Sequence, residues 1–332
     1  MRHPSILSWV LLIGLLGANP RSAVAAARPP AVLIVMAHPD DETMIGDLLG
    51  RMKERGVRVT LALVTNGERG KVVRGLRPEG ERRPGEDPLV ERTPGDGVPG
   101  IRTPTDLARA RRRELRAAAR FHGVEQVVFL SPDLAEPRFV DGWEGGVRSW
   151  PRKELGRRLA ELAKELRPEV VITLNPHEPR NHPQHRGLGR LVSQLHASGG
   201  FDGPGGRPSL YGIREQDWYH GSLAAQPGDE RFARDVWSWV LGRTYRSWME
   251  LGADVYRTQS SRPRYAAARN RAGLNPGVQP ESILRRLDDG PGDRSLTALL
   301  AAHAPRLRLR DRLDPGRALR NLLHVLRERR AR

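Results

Sequence analysis

Residues 31–42 read Ala31-Val32-Leu33-Ile34-Val35-Met36-Ala37-His38-Pro39-Asp40-Asp41-Glu42. The first six are apolar and partly β-branched without alternation, the pattern of a strand covered on both faces, and Glu42 opens a helical pattern. His38 and two aspartates therefore fall on the turn between a buried strand and a helix. That is where open α/β sheets carry their chemistry. Imidazole beside paired carboxylates at such a turn looks like half of a metal site.

The helical pattern runs to Arg55, with Met44, Ile45, Leu48, Leu49 and Met52 on one side and Gly56 as its stop. A second strand follows at Arg58–Thr65. Residues 68–104 are dense in Arg, Glu, Gly and Pro and lack apolar periodicity, so they read as a long loop that could serve as a lid. Gly95 to Gly100 formally matches G-x-G-x-x-G, but no strand precedes it, no helix opens from it, and Pro94 and Pro99 flank its glycines. The match is rejected as a nucleotide site. A helix at Thr105–His122, a strand at Val127–Leu130, a helix at Pro151–Leu166 and a strand at Glu169–Leu174 complete the alternation. This order predicts a Rossmann-like three-layer α/β sandwich with a mainly parallel sheet and right-handed crossovers.

Beyond residue 200 the pattern weakens. Phe201–Arg207 reads as a linker, Tyr211–Tyr219 as a strand with a loop, and Arg231–Tyr256 as helical. Residues 263–332 are expected to form a basic, helical C-terminal extension. Its last segment, Asp314 to Arg330, places Leu319, Leu322, Leu323 and Leu326 on one face. The main domain is accordingly set at 26–262.

Residues 1–25 carry a different signal. Arg2 and His3 precede an apolar run from Ile6 to about Gly17, and Ala23-Val24-Ala25 comes next with small residues at peptidase-site positions. This predicts a cleaved signal peptide and a periplasmic or extracellular protein. The run falls short of the ~20 residues of a comfortable bilayer span, so an uncleaved anchor is the lesser alternative. The chain has no cysteine, which excludes a lipoprotein attachment cysteine and any disulfide, and leaves stability to the core. Its formal charge is +17, two units of which would leave with Arg2 and Arg21. Such a charge favours contact with anionic envelope surfaces. However, the 56 basic residues include only four lysines, so an arginine-rich coding bias carries equal weight. Nucleic-acid binding is not expected, given the export signal and the lack of a recognisable module. Oligomeric state is not legible.

The second half of the site lies just past the Glu169–Leu174 strand: Asn175-Pro176-His177-Glu178-Pro179-Arg180-Asn181-His182-Pro183-Gln184-His185. Three histidines lie within nine residues at the end of a buried strand. His38, Asp41 and one of these histidines would supply the three protein ligands of a catalytic site with a position left for water. Asp40, adjacent to Asp41, would diverge from it and face that water. His182 and His185 are three apart and can point into one pocket if Pro183 opens a helical turn.

With these blocks in view, the chain resembles the zinc-dependent N-acetylglucosaminyl deacetylases called PIG-L or LmbE-like, from about Ala31 to about Leu191, or at its widest to Ser260. That resemblance implies His38, Asp41 and His185 as zinc ligands, with iron as the alternative ion in the cell. It implies Asp40 as general base and a protonated His182 on the oxyanion. The family's T-x-G-E-x-G appears as Thr65-Asn66-Gly67-Glu68-Arg69-Gly70, and its R-x-x-E as Arg111-Arg112-Arg113-Glu114. Arg111 would contact the sugar, and Asp133 would lie near substrate hydroxyls. Against these, Arg111 could sit on a solvated helix face and Asp133 in a plain turn.

One departure stands out: Gln184 replaces the family's aspartate in the second block. An uncharged amide there would weaken the hold of His182 on its proton unless another carboxylate, such as Glu178, takes over. The implied activity is removal of an N-acetyl group from an N-acetylglucosamine-containing glycan. Cleavage of another amino-sugar amide, or glycan binding without turnover, are the alternatives.

Overall fold

The structure, a computed structural model, describes residues 28–84, 86–142, 147–178, 182–214, 225–271, 280–290 and 295–303. The signal peptide expected over 1–25 and the helix expected over 314–330 lie outside them. In chain order, β1 (Ala31–Met36) leads through a 3-10 turn (Asp41–Ile45) into α1 (Gly46–Arg55) and β2 (Arg58–Leu63). A hairpin of β3 (Val72–Leu76) and β4 (Leu89–Arg92) precedes α2 (Pro104–His122) and β5 (Gln126–Phe129). Then come α3 (Arg152–Leu166), β6 (Val170–Leu174), α4 (Pro183–Ala197) and β7 (Ser209–Ile213). The remainder comprises β8 (Asp229–Ala233), β9 (Trp237–Ser238), β10 (Arg243–Thr244), α5 (Tyr245–Ala253), α6 (Pro263–Arg271), β11 (Glu281–Arg286) and α7 (Leu296–Ala302).

Seven strands form the main sheet in the order β5-β2-β1-β6-β7-β11-β8. The first five are parallel to their neighbours, and β11 pairs antiparallel with both β7 and β8. Every residue of β1 and β6 is buried, as the unbroken apolar runs require. From β1 the chain builds outward to β2 and β5, then returns to place β6 on the other side of β1, with Val32, Leu33 and Ile34 in register with Val170, Val171 and Ile172. The strand order reverses between β1 and β6, and a crevice opens at their carboxyl ends.

Local sequence explains the helix boundaries. Gly56 takes the left-handed conformation (φ 67°) that closes α1. Thr103 and Asp106 cap α2 reciprocally, and Pro104 opens it.

Three expectations are corrected. The segment 68–104 is not a bare loop: β3 and β4 pair across a bulge between Val73 and Gly75, and Val73 and Leu89 pack on Tyr265. Their strands are too short and too rich in Arg and Gly to show alternation in the sequence. Residues 231–256 are helical only over α5, because β8 continues the main sheet and β9 and β10 turn back on themselves before Thr244 caps the helix. Among the described residues beyond 263, the chain is not a purely helical extension: β11 lies inside the main sheet, between β7 and β8. A single apolar pair, Ile283-Leu284, was all that could have signalled it.

One glycine ties this frame to the crevice. Gly189 lets α4 lie directly on the end of β6; a Cβ there would run into the Leu174 carbonyl oxygen and stand 2.9 Å from the Pro176 nitrogen. Alanine is the better helix former by about 1 kcal/mol, but here it must push the helix off the strand. Gly189→Ala is expected to destabilise the fold by about 1–3 kcal/mol, seen as a lower urea midpoint, and to loosen the crevice residues that α4 carries.

Candidate functional site

His38 leaves the end of β1, and Asp40 then turns the chain through a left-handed conformation (φ 118°) that a non-glycine residue rarely adopts. The turn brings the Asp41 carboxylate back onto the strand end, where Oδ2 accepts from the backbone nitrogens of Ala37 (3.0 Å) and His38 (2.8 Å). Beyond β6, Pro183 opens α4, and His182 caps it by accepting from the Gln184 backbone nitrogen through Nδ1 (3.2 Å). One turn into that helix, His185 faces His38 across the crevice.

His185 Nε2 lies 3.0 Å from His38 Nδ1 and 3.2 Å from Asp41 Oδ1, and Asp41 Oδ2 lies 3.6 Å from His38 Nδ1. Donors held ~2.0–2.1 Å from a tetrahedral cation stand roughly 3.3 Å apart, so these three edges fit one ion. The ring nitrogens of His38, His182 and His185 also converge, within 4.8 Å of one another. The first set is the tighter. It has the two imidazoles and one carboxylate of an open catalytic site, with His182 beside it.

The far side of His38 is equally constrained. Its Nε2 lies 2.7 Å from Gln184 Oε1 and 3.2 Å from Asp141 Oδ1. The Gln184 amide is pinned in one orientation, its Nε2 donating to Val140 O (2.9 Å) and its Oε1 accepting from Gly142 N (3.3 Å). An amide oxygen can only accept, so His38 carries a proton on Nε2 and turns Nδ1 toward His185 and Asp41. Oxygen acceptors behind a ligating imidazole fix its tautomer and ring orientation in this way.

Charge is set by the same neighbours. Burial opposes an imidazolium at His38, but the Asp41 and Asp141 carboxylates outweigh it and lift His38 well above the ordinary histidine range. Burial likewise opposes charge on Asp41, yet His185 and His38 hold it well below the usual carboxylate range. Protons shared among the His38, His185 and Asp41 side chains thus stand where a cation fits, and a cation would displace them. Asp40 is pushed up to about 7 by loss of solvent and by Asp41. His182 is pushed down to about 3, by burial and then by His38 and His185.

The structure therefore brings together Asp40, His182, His38, Asp41, His185 and Gln184. It departs from the sequence reading at Gln184, Glu178, His182 and Asp133. Gln184 bears on His38 rather than on the proton of His182, and Glu178 does not substitute for a missing carboxylate, being engaged with Asn175 and Arg214. Burial and the neighbouring imidazoles disfavour charge on His182, and its Nδ1 accepts the helix-capping bond, which leaves Nε2–H as the donor of a neutral ring. Asp133 is an exposed turn residue whose Oδ1 accepts from Ala135 and Glu136 nitrogens (2.8 and 3.2 Å).

The carboxylate that does reach the site is Asp141, which no motif marks. Glu68 holds it there, accepting from the Asp141 nitrogen (2.7 Å). Arg111 is buried rather than on a solvated face, and it donates to Gly67 O (2.8 Å) and Lys71 O (3.1 Å). A Cβ on Gly67 or Gly70 would overlap its guanidinium, which explains the glycine spacing of that loop. Its charge lowers both Asp40 and Asp141.

Residues 33–196, just under half of the chain, match the PIG-L family model, described as GlcNAc-PI de-N-acetylase, and it is this segment that is of the PIG-L/LmbE-like family. It is similar to the 1D-myo-inositol 2-acetamido-2-deoxy-alpha-D-glucopyranoside deacetylase of Thermomonospora curvata, with 31% identity over 159 residues, 46% of this chain and 48% of that protein. The corresponding deacetylase 2 of Catenulispora acidiphila is 33% identical over 168 residues, 49% of this chain and 50% of that protein. The chain spans about half the length of the curated relatives it matches. Among solved structures, the N,N'-diacetylchitobiose deacetylase of Pyrococcus horikoshii aligns with a TM-score of 0.45 at 18% identity, over 86% of this chain and 93% of that one.

The geometry makes the metal assignment checkable. Purified protein is expected to take up one divalent ion per chain. His38→Ala, Asp41→Ala and His185→Ala should each abolish stoichiometric binding in metal analysis after dialysis, whereas His182→Ala should retain it. Gln184→Leu, which leaves His38 Nε2 without its 2.7 Å acceptor, should weaken metal affinity about 10–100-fold.

Proposed function

We propose that this chain hydrolyses the N-acetyl group of an N-acetylglucosamine-containing substrate, releasing acetate and an amino sugar, with zinc as the metal. The observation that carries this reading is the convergence of His38, Asp41 and His185 on one point, with Asp40 and His182 at its rim. His38 Nδ1, Asp41 and His185 Nε2 would hold the ion. When bound, zinc supplies a Lewis acid that lowers the pKa of water to ~7.

The chain's own residues supply the rest. Asp40, held near neutrality by its burial and by Asp41, accepts the proton of the attacking water, a range suited to a general base at pH 7. The neutral His182 donates its Nε2–H to the carbonyl oxygen as charge develops there, an oxyanion contact made without an imidazolium. Asp40 then returns its proton to the departing amine. Asp141 and Gln184 keep His38 oriented throughout.

The names of the related proteins support an acetamido sugar as substrate class. We further propose that the reaction takes place outside the cytoplasm, on envelope or extracellular glycan, as the N-terminal signal pattern implies. Mass spectrometry of the exported form should find an N terminus near Ala26; a full-length N terminus retained in the cytosol would contradict this placement.

Acetate release from a panel of N-acetylglucosamine compounds tests the reaction. The zinc-loaded protein should release acetate, and Asp40→Ala should lower kcat at least 100-fold while keeping its metal. Metal-replete protein that deacetylates none of the panel would favour another amide, or glycan binding without turnover.

A further inference from the structure

The Asp40 turn is held from outside the segment that matches the family. Among the described residues, Asp40 and Arg167 are the non-glycine residues with positive φ, and Asp40 at 118° lies well away from the relaxed left-handed well. Such a conformation persists only when its surroundings over-determine it. Here the constraints can be traced atom by atom. The Asp40 nitrogen donates to Glu42 Oε2 (3.2 Å), and the Asp40 carbonyl accepts from both Thr43 N (2.9 Å) and Thr43 Oγ1 (2.6 Å). Glu42 is fully buried, and its Oε1 is held by the Tyr256 hydroxyl, itself fully buried. Gln259, also buried, donates through Nε2 to the carbonyl of Pro39, the residue before Asp40.

Tyr256 and Gln259 sit on a short connector between α5 and α6, about 60 residues past the end of the family match at 196. That connector is fixed in turn by Glu114, the last residue of the R-x-x-E motif. Glu114 Oε1 accepts from the nitrogens of Arg257 (2.8 Å) and Thr258 (3.0 Å), and its Oε2 accepts from Thr258 Oγ1 (2.6 Å). Val73 N, on β3, donates to Thr258 O (3.0 Å). The second half of the motif is thus spent on a backbone segment rather than on a ligand.

We propose that Tyr256 and Gln259 are positioning residues for Asp40: with Glu42 as intermediary they clamp the strained 39–40 turn and aim the base, and Glu114 anchors the connector that carries them. This rests on Asp40 acting as the general base in the reaction proposed above. The clamp itself is a property of the turn and can be measured without turnover.

The test combines hydrogen exchange with kinetics on metal-loaded full-length protein, using Tyr256→Phe, which removes one hydroxyl, and Gln259→Leu, which removes one donor. Both variants should speed exchange of the 38–44 amides at least 10-fold while leaving β1 and β6 unchanged. Both should also lower kcat about 10-fold or more with KM within twofold. In an Asp40→Ala background neither should lower the residual rate further, because each acts through Asp40.

Wild-type exchange at 38–44 in both variants would overturn the clamp whatever the activity. An equal rate loss in the Asp40→Ala background would overturn the route through the base. Should Tyr256→Phe speed exchange across the whole sheet, Gln259→Leu decides. If the unmodified protein releases no acetate, the proposed reaction fails, and the exchange comparison still decides the clamp.

Discussion

The structure depends on the adjacency of β1 and β6 at the point where the strand order reverses. Two fully buried parallel strands in register deliver their carboxyl ends to one level, and the segments leaving those two ends must then share one crevice. From β1 comes a turn with His38 and Asp41; from β6, by way of α4, comes His185. Their nitrogens and oxygens end 3.0–3.6 Å apart. Such a group of lone pairs, buried together, needs a positive charge between them. Without a metal that role falls to protons on the imidazoles, and the same geometry suits a divalent cation. Donor set, charge and fold therefore express one constraint.

Around this point a ring of neutral and charged groups removes the remaining freedom. Glu68 fixes the nitrogen of Asp141, and Gln184 grips Val140 and Gly142 on either side of it. Asp141 and Gln184 then meet at His38 Nε2. Gln184 reaches this arrangement because an amide both donates and accepts; a carboxylate could not bond the Val140 carbonyl. The substitution that the sequence marks as a loss is thus accommodated by dividing the task, with orientation given to Gln184 and charge to Asp141. Arg111 adds a buried positive charge beneath the 65–70 loop, close enough to Asp40 and Asp141 to favour their ionised forms.

The parallel half of the sheet and the candidate donors that meet in the crevice were legible because both leave short-range signatures. An unbroken apolar run ending in His-Pro-Asp-Asp and a His-Pro-x-His after a second such run need no knowledge of the rest of the chain. Asp141, Tyr256 and Gln259 left no such trace. Each is a single polar residue whose meaning comes from a partner 73 to 220 positions away, and one sequence carries no sign of that pairing. Asp133 is the complementary case. An aspartate just past a strand satisfies two nitrogens of its own turn through one oxygen, and the sequence alone does not separate that local use from a contact with substrate. Strand β11 was missed because Arg285 and Arg286, half-buried at its end and paired with Asp229 and Asp288, break the apolar run.

The most direct test of this account is a zinc-edge anomalous diffraction map of crystals of the zinc-loaded protein. It should show one ion per chain in the β1/β6 crevice, about 2.0–2.2 Å from His38 Nδ1, an Asp41 oxygen and His185 Nε2, with His38 Nε2 still on Gln184 and His182 outside the ligand set. An ion bound by His182 in place of Asp41, or bound away from the ends of β1 and β6, would contradict it.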